Sequence, residues 1–342
     1  MALDSPPPPS GEPGDVERPE PASGDVRPPR AEVELDAPPV SRGGALWRVG
    51  GVVLTVRPHQ WVKNVFVLAP VVFAKELFEP ALLSRAAGAF GVFCLLAGAV
   101  YAMNDVADVD ADRAHPVKRH RPIASGRVPV GAARVLAAAL VVVSLGAAVL
   151  IGPWQLAAVA ATYFGINLAY SLRLKHVAYV DVLCIAAGFV LRVWAGGFAT
   201  AVEVSSYLLV CTGLLALFLG FGKRRHELAA AAANAGRQRA ALEAYSQGGL
   251  DVALGVTALA TTVTYVAYTL DPHTRELFRS DHLWPSTLFV LAGVGRFLQL
   301  VRSRPKAESP TQEMLRDGPF VAIVLLWVAL VLFVVYQLRP MR

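Results

Sequence analysis

Cysteine is scarce in this chain of 342 residues, and the three that occur, Cys94, Cys184 and Cys211, all lie inside apolar runs. They have neither metal-ligand spacing nor the pattern of a disulfide framework, which leaves them as packing residues. Charge is also sparse, at 17% of positions, below the roughly 25% of a soluble domain. No apolar segment near the start has the form of a signal peptide. No nucleic-acid recognition module occurs, so the net charge of +6 is assigned to topology and to anionic lipid or phosphate, with no nucleic acid among the expected partners. What is abundant is hydrocarbon. Hydrophobic residues fill 55% of the chain and the mean hydropathy is strongly positive, which makes this a polytopic membrane protein.

Apolar stretches long enough to cross about 30 Å of hydrocarbon run over residues 61 to 78, 84 to 104, 129 to 151, 153 to 172, 178 to 200, 205 to 222, 250 to 270, 283 to 301 and 318 to 338. The first is interrupted by Trp61, Lys63 and Asn64 at its start and by Lys75 and Glu76 at its end, so eight or nine crossings both fit, nine fitting best. Residues 1 to 44 are rich in Pro, Gly and mixed charge and are expected to be a disordered tail. Residues 45 to 342 form the membrane domain.

Basic residues recur in alternate loops. Arg113, Lys118, Arg119, Arg121 and Arg127 follow the second stretch, and Arg173 and Lys175 the fourth. Lys223, Arg224, Arg225, Arg237 and Arg239 follow the sixth, and Arg302, Arg304, Lys306 and Arg316 the eighth. The positive-inside rule makes these loops and the N-terminus cytoplasmic.

At the cytoplasmic end of the second stretch stands Asn104-Asp105-Val-Ala-Asp108-Val-Asp110-Ala-Asp112. On a helix, Asp105, Asp108 and Asp112 fall within roughly 60° of one another while Asp110 points away. Clustered carboxylates repel unless a cation neutralises them, and hard oxygen ligands at this spacing suit Mg²⁺ carrying a substrate diphosphate. A solvated acidic helix end is the plainer alternative.

Cations surround this segment in the sequence. Lys118, Arg119 and Arg121 are candidates for phosphate oxygens, or else merely set topology. Tyr170, Lys175 and Asp181 cluster at the next cytoplasmic junction, where Asp181 is a candidate metal ligand and an interfacial belt is the alternative. Arg192 lies about 20° from Asp181 in helical phase and so faces inward. A charge at that depth costs ~2.5 to 3.5 kcal/mol, and Arg192 either binds phosphate or pairs with a buried polar group. Arg57, Gln60 and Asn64 share a face with Lys63 at its edge, offering polar ligands or an interfacial anchor. The stretch from Gly222 to Gly249 is expected to form a helical cap over the mouth, with Lys223, Arg224 and Arg225 meeting a second phosphate-bearing substrate.

Taken in order, these motifs resemble the UbiA superfamily of intramembrane prenyltransferases over residues 45 to the end. Asn104, Asp105, Asp108 and Asp112 match the family's first Asp-rich motif, NDxxDxxxD, and Tyr170, Lys175 and Asp181 resemble its second region. The resemblance implies an all-α bundle of nine transmembrane helices around a central cavity that opens to lipid, with a cytoplasmic loop cap. The sequence departs from the aromatic prenyltransferases at Ile185, where a second acid would stand. The segments RPHQWVKN, YSLRLKHVAYVDV, GFVLRVWAGG and GFGKRRHEL look instead like the decaprenyl-phosphate phosphoribosyltransferase branch.

That branch implies transfer of 5-phosphoribose from phosphoribosyl diphosphate to a polyprenyl phosphate in a bacterial inner membrane, supplying cell-wall arabinan. Its cofactor is Mg²⁺, held by Asp105, Asp108, Asp112 and Asp181. The division of cations expected from it gives Lys118, Arg119 and Arg121 to the sugar donor and Lys63, Asn64, Lys175 and Arg192 to the lipid phosphate. Prenyl transfer to an aromatic acceptor is the alternative within the fold, and a transporter the alternative outside it. Prenyl chain length and oligomeric state, a homo-oligomer included, stay open.

Overall fold

The computed structural model describes residues 44–233, 244–303, 313, 314 and 316–336. Among these the chain is helical, with no strand. Helix α1 spans Ala45–Val56 and ends at Arg57, whose left-handed backbone (φ 51°) turns the chain into a 3-10 segment, Pro58–Leu68, and a short α2, Ala69–Phe73. Then come α3 (Pro80–Ala107), α4 (Val109–Arg113), α5 (Val130–Ile151) and α6 (Trp154–Leu172). Next are α7 (Val180–Thr200), α8 (Ser206–Ala233), α9 (Gln247–Leu270) and the short α10 (Pro272–Phe278). Helices α11 (Ser286–Ser303) and α12 (Gly318–Tyr336) complete the described chain.

Six of these helices, α3, α5, α7, α8 over Ser206–Ala230, α9 and α12, are long and apolar enough to cross a membrane. Helices α6 and α11 coincide with two further expected crossings but fall short of that standard. The first expected crossing, 61 to 78, is built differently, as the 3-10 segment and α2. Pro58 and Pro70 withhold backbone donors there, and the polar Lys63 and Asn64 interrupt the apolar face.

Helix α7 is the hub. One buried core joins α3, α5, α6 and α7 through Phe93, Leu96, Ala148, Leu156, Ala160, Leu191 and Ala195. A second joins the start of α7 to α8, α9 and α11 through Val182, Phe218, Leu250 and Phe297. Small residues let α7 take so many neighbours, as in other membrane bundles. At Gly196 a Cβ would lie 1.9 Å from the Val67 carbonyl oxygen, so only glycine lets the 3-10 segment rest on this helix. Large apolar side chains exposed at helical spacing, such as Val252, Val256, Leu259 and Val263 on α9, form the outward stripe that hydrocarbon would solvate.

The expected loop cap is corrected in part. Lys223, Arg224 and Arg225 lie on the unbroken helix α8, because the Ala-rich sequence after Glu227 continues it to Ala233. Residues 234–243 lie outside the described residues, with Arg237 and Arg239, as do Arg304, Lys306 and the expected tail up to residue 43.

Candidate active site

The acidic segment is not one continuous helix. Helix α3 ends at Asp108, whose backbone (φ −95°, ψ 9°) bends the chain before α4 begins, while hydrogen bonds from Asp108 N–H to Asn104 O and from Asp112 N–H to Asp108 O carry it round the corner. Asp105 and Asp112 are buried on the inner side of this bend. Asp110 is 90% exposed and, among the described residues, pairs with Arg113 alone, as its helical phase predicts.

Arginines close the inner side. Arg121 Nη1 lies 3.2 Å from Asp105 Oδ1 and 2.7 Å from Asp112 Oδ2, bridging the two carboxylates. Arg57 Nη2 lies 2.6 Å from Asp105 Oδ1, with its guanidinium over the ring of Tyr101. Asp108 is 45% exposed and faces Lys175 Nζ at 3.6 Å, from the turn Leu174–His176 between α6 and α7. The first and second motifs therefore meet, through Lys175.

Whether this segment suits Mg²⁺ turns on donors and access. Three carboxylates and Asn104 offer oxygen only, which is the right chemistry for a hard cation. Among the described residues no three acidic, His or Cys side chains stand close enough to hold a metal as placed, and arginines contact the carboxylate oxygens of Asp105 and Asp112. Arg57 and Arg121 are themselves 24% and 31% exposed, so solvent reaches the side of the carboxylates that they cover. The donor set fits in kind.

Asp181 stands apart from these three. It is sealed at the start of α7, where Oδ1 accepts from Val182 N–H (2.8 Å) and Tyr245 O–H (2.5 Å) and Oδ2 faces Arg224 Nε at 2.6 Å. Arg224 also pairs with Glu227. Burial, and then the bond to Asp181, push the Tyr245 hydroxyl up from its usual range, so it stays protonated and donates.

Arg192 and Asn64, expected at the lipid phosphate, bond to each other and to neighbouring protein groups. Arg192 donates from Nε to Asn64 Oδ1 (2.7 Å), from Nη1 to Gly188 O (2.8 Å) and from Nη2 to Tyr163 O–H (2.8 Å), and Asn64 donates to Cys94 Sγ. This buried clamp ties α7 to α6, α3 and the 3-10 segment. It answers the inward charge with a neutral polar partner, the second of the two readings open from sequence.

The remaining expected residues ring the mouth. Lys63 is exposed and close enough to Lys223, Arg192 and Arg57 to feel their charge. Lys118 is exposed, and Arg119 is half-buried with an Nε that has no hydrogen-bond partner. Tyr170 stands near Arg224, and Arg225 pairs with Asp251 of α9 at 2.8 Å. Sequence reasoning missed Tyr101, Tyr163, Glu227 and Tyr245. Tyr163 alone carried a signal, as a polar-tipped ring in mid-span; Tyr245 is brought in only by the tertiary fold.

Residues 65–316 match the UbiA prenyltransferase family. The chain belongs to this family. Among UbiA relatives, decaprenyl-phosphate phosphoribosyltransferase of Corynebacterium glutamicum is 34% identical over 301 residues, covering 85% of this chain and 88% of the relative. The enzyme of the same description from Mycobacterium tuberculosis is 37% identical over 289 residues, covering 83% and 93%. In fold, this UbiA chain is similar to a solved UbiA homolog from Archaeoglobus fulgidus bound to DMAPP and Mg²⁺, with a TM-score of 0.60 and 20% identity over 84% of this chain and 100% of the other. The protein is an enzyme, a UbiA-type transferase of the membrane.

Proposed function

We propose that this enzyme transfers 5-phosphoribose from phosphoribosyl diphosphate to a polyprenyl phosphate, with Mg²⁺, to give polyprenyl-phosphoryl-5-phosphoribose. The observation that carries the reading is the bridge of Arg121 between two buried carboxylates, Asp105 and Asp112, in a segment that also offers Asp108 to solvent. The names of the relatives supply the donor and acceptor classes.

Asp105, Asp108 and Asp112, with Asn104, would hold the ion. Bound there, Mg²⁺ would neutralise the diphosphate as its bond to ribose C1 breaks. Arg57, Arg121, Lys118 and Arg119 take donor phosphate oxygens, Arg119 with the Nε that the fold leaves without a partner. Lys63, Lys175 and Lys223, with Tyr170 beside them, screen the repulsion between the donor and the lipid phosphate. A phosphate monoester is already anionic at neutral pH, so positioning is the main demand and no strong general base is needed.

The same reading puts the mouth on the cytoplasmic side of a bacterial cell membrane, with nine crossings once α6, α11 and the 58–73 segment are counted, and with the product feeding cell-wall arabinan. It treats residues 1 to 44 as a tail outside the catalytic domain. Prenyl transfer to an aromatic acceptor is the second reading, favoured by the fold relative solved with DMAPP. Purified protein given radiolabelled phosphoribosyl diphosphate and polyprenyl phosphate should form a labelled lipid only with Mg²⁺. No product at any chain length, with transfer from a labelled allylic diphosphate, rejects the first reading for the second.

A further inference from the structure

We propose that Asp181 is a positioning residue, not a metal ligand: with Arg224 and Tyr245 it locks the connector between α6 and α7 so that Lys175 stands beside Asp108. Its side chain is only 1% exposed, and both oxygens face protein partners. The Arg224 Nε contact is an ion pair off the line of the N–H bond, from a guanidinium only 2% exposed that Glu227 also holds. A hydrated cation would have to remove that buried guanidinium from two acids and shed its water to enter. At the first acidic segment it meets arginines that are 24% and 31% exposed and Asp108, which is 45% exposed.

The lock reaches along the connector. Tyr245 Oη accepts from Tyr179 N–H at 2.7 Å while donating to Asp181. Tyr179 has φ 66°, a backbone state that a residue with a side chain keeps only where its surroundings hold it. Its ring lies against Tyr245 and Phe221 and its hydroxyl reaches over Gly249. Residues 173–181 are thus fixed at one end by Tyr245 and Asp181 and at the other by the Lys175 to Asp108 pair. Arg224 of α8 and Tyr245, two residues before α9 begins, thereby set the place of a cation at the first motif.

The inference rests on the metal reading above only for the comparison of the two motifs. Its test is a Mn²⁺ titration followed by electron paramagnetic resonance on the full chain in detergent, beside hydrogen exchange over 173–182. Asp181→Asn and Tyr245→Phe should keep Mn²⁺ affinity within about twofold and speed connector exchange about tenfold, whereas Asp105→Asn weakens Mn²⁺ about tenfold or more with exchange kept. Tyr245→Phe should also raise the KM for phosphoribosyl diphosphate at unchanged kcat; a fall in kcat at unchanged KM overturns the positioning role. Loss of Mn²⁺ binding in Asp181→Asn with exchange unchanged overturns the proposal. If Asp181→Asn does not fold, Tyr245→Phe decides, since unchanged exchange there overturns the lock. Should Asp105→Asn keep Mn²⁺, the metal reading of the first motif fails, while faster connector exchange still supports the lock.

Discussion

Arg57 Nη2 lies 2.6 Å from Asp105 Oδ1, although the two residues are 48 positions apart. The left-handed turn at Arg57 aims this side chain back at the end of α3, and the ring of Tyr101 holds it there. A charge-assisted bond to a buried carboxylate is among the stronger contacts a protein makes, so Asp105 is tuned by a segment that precedes it by two helices.

Removing the buried acid should abolish chemistry, and removing the exposed one should not. Asp105→Asn is expected to lower transfer from phosphoribosyl diphosphate by about 10² or more, as is chelation of Mg²⁺. Asp110→Asn, 90% exposed, should stay within about twofold, as a surface change does. A radiolabelled lipid assay on both variants reads this.

Arg121 competes with any cation for Asp105 and Asp112. Arg121→Ala should therefore lower the melting temperature without metal, since it leaves two buried carboxylates short of a partner. Added Mg²⁺ should then raise that temperature further than it does in the parent, by linkage. Equal shifts in the two proteins would show that the ion does not bind where Arg121 does.

The clamp at Arg192 predicts the opposite split. Asn64→Ala removes one of the three acceptors of a buried guanidinium and should destabilise the fold by about 1 to 3 kcal/mol while leaving the KM for both substrates near the parent value. Thermal melts and steady-state kinetics together distinguish this from a binding role, which would raise KM at unchanged stability.

Gly196→Ala tests the seat of the 3-10 segment. A Cβ 1.9 Å from the Val67 oxygen cannot be accommodated without parting that segment from α7. Gel filtration of the detergent-solubilised variant should show loss of the monodisperse peak, with Gly255→Ala, where nothing lies within 4 Å, as the control that keeps it.

The residues themselves explain which parts of this were legible from sequence. Helical phase separates Asp110 from Asp105, Asp108 and Asp112 without any structure, because side-chain direction there depends on local geometry alone. Hydropathy finds α3, α5, α7, α8, α9 and α12 for the same reason. The fate of Arg192 and Asp181 was not legible, since each is decided by partners 29 to 128 positions away, Tyr163 and Asn64 for one and Tyr245 for the other. Phase shows that a side chain faces inward, and only packing shows what it meets. The 3-10 build of the first stretch was not legible, because hydropathy cannot tell an α-helix from a 3-10 segment of the same composition.

The bend at Asp108 has a consequence for selectivity. Along a straight helix, Asp105 and Asp112 would be separated by a rise of about 10 Å, yet a single nitrogen of Arg121 touches both. The bend at residue 108 thus goes with two anions close enough to share one nitrogen, and on the proposed Mg²⁺ reading a gap of that width would sort cations by radius and by the waters they retain. On that reading, ion preference would depend on the φ and ψ of residue 108 as well as on the number of acids.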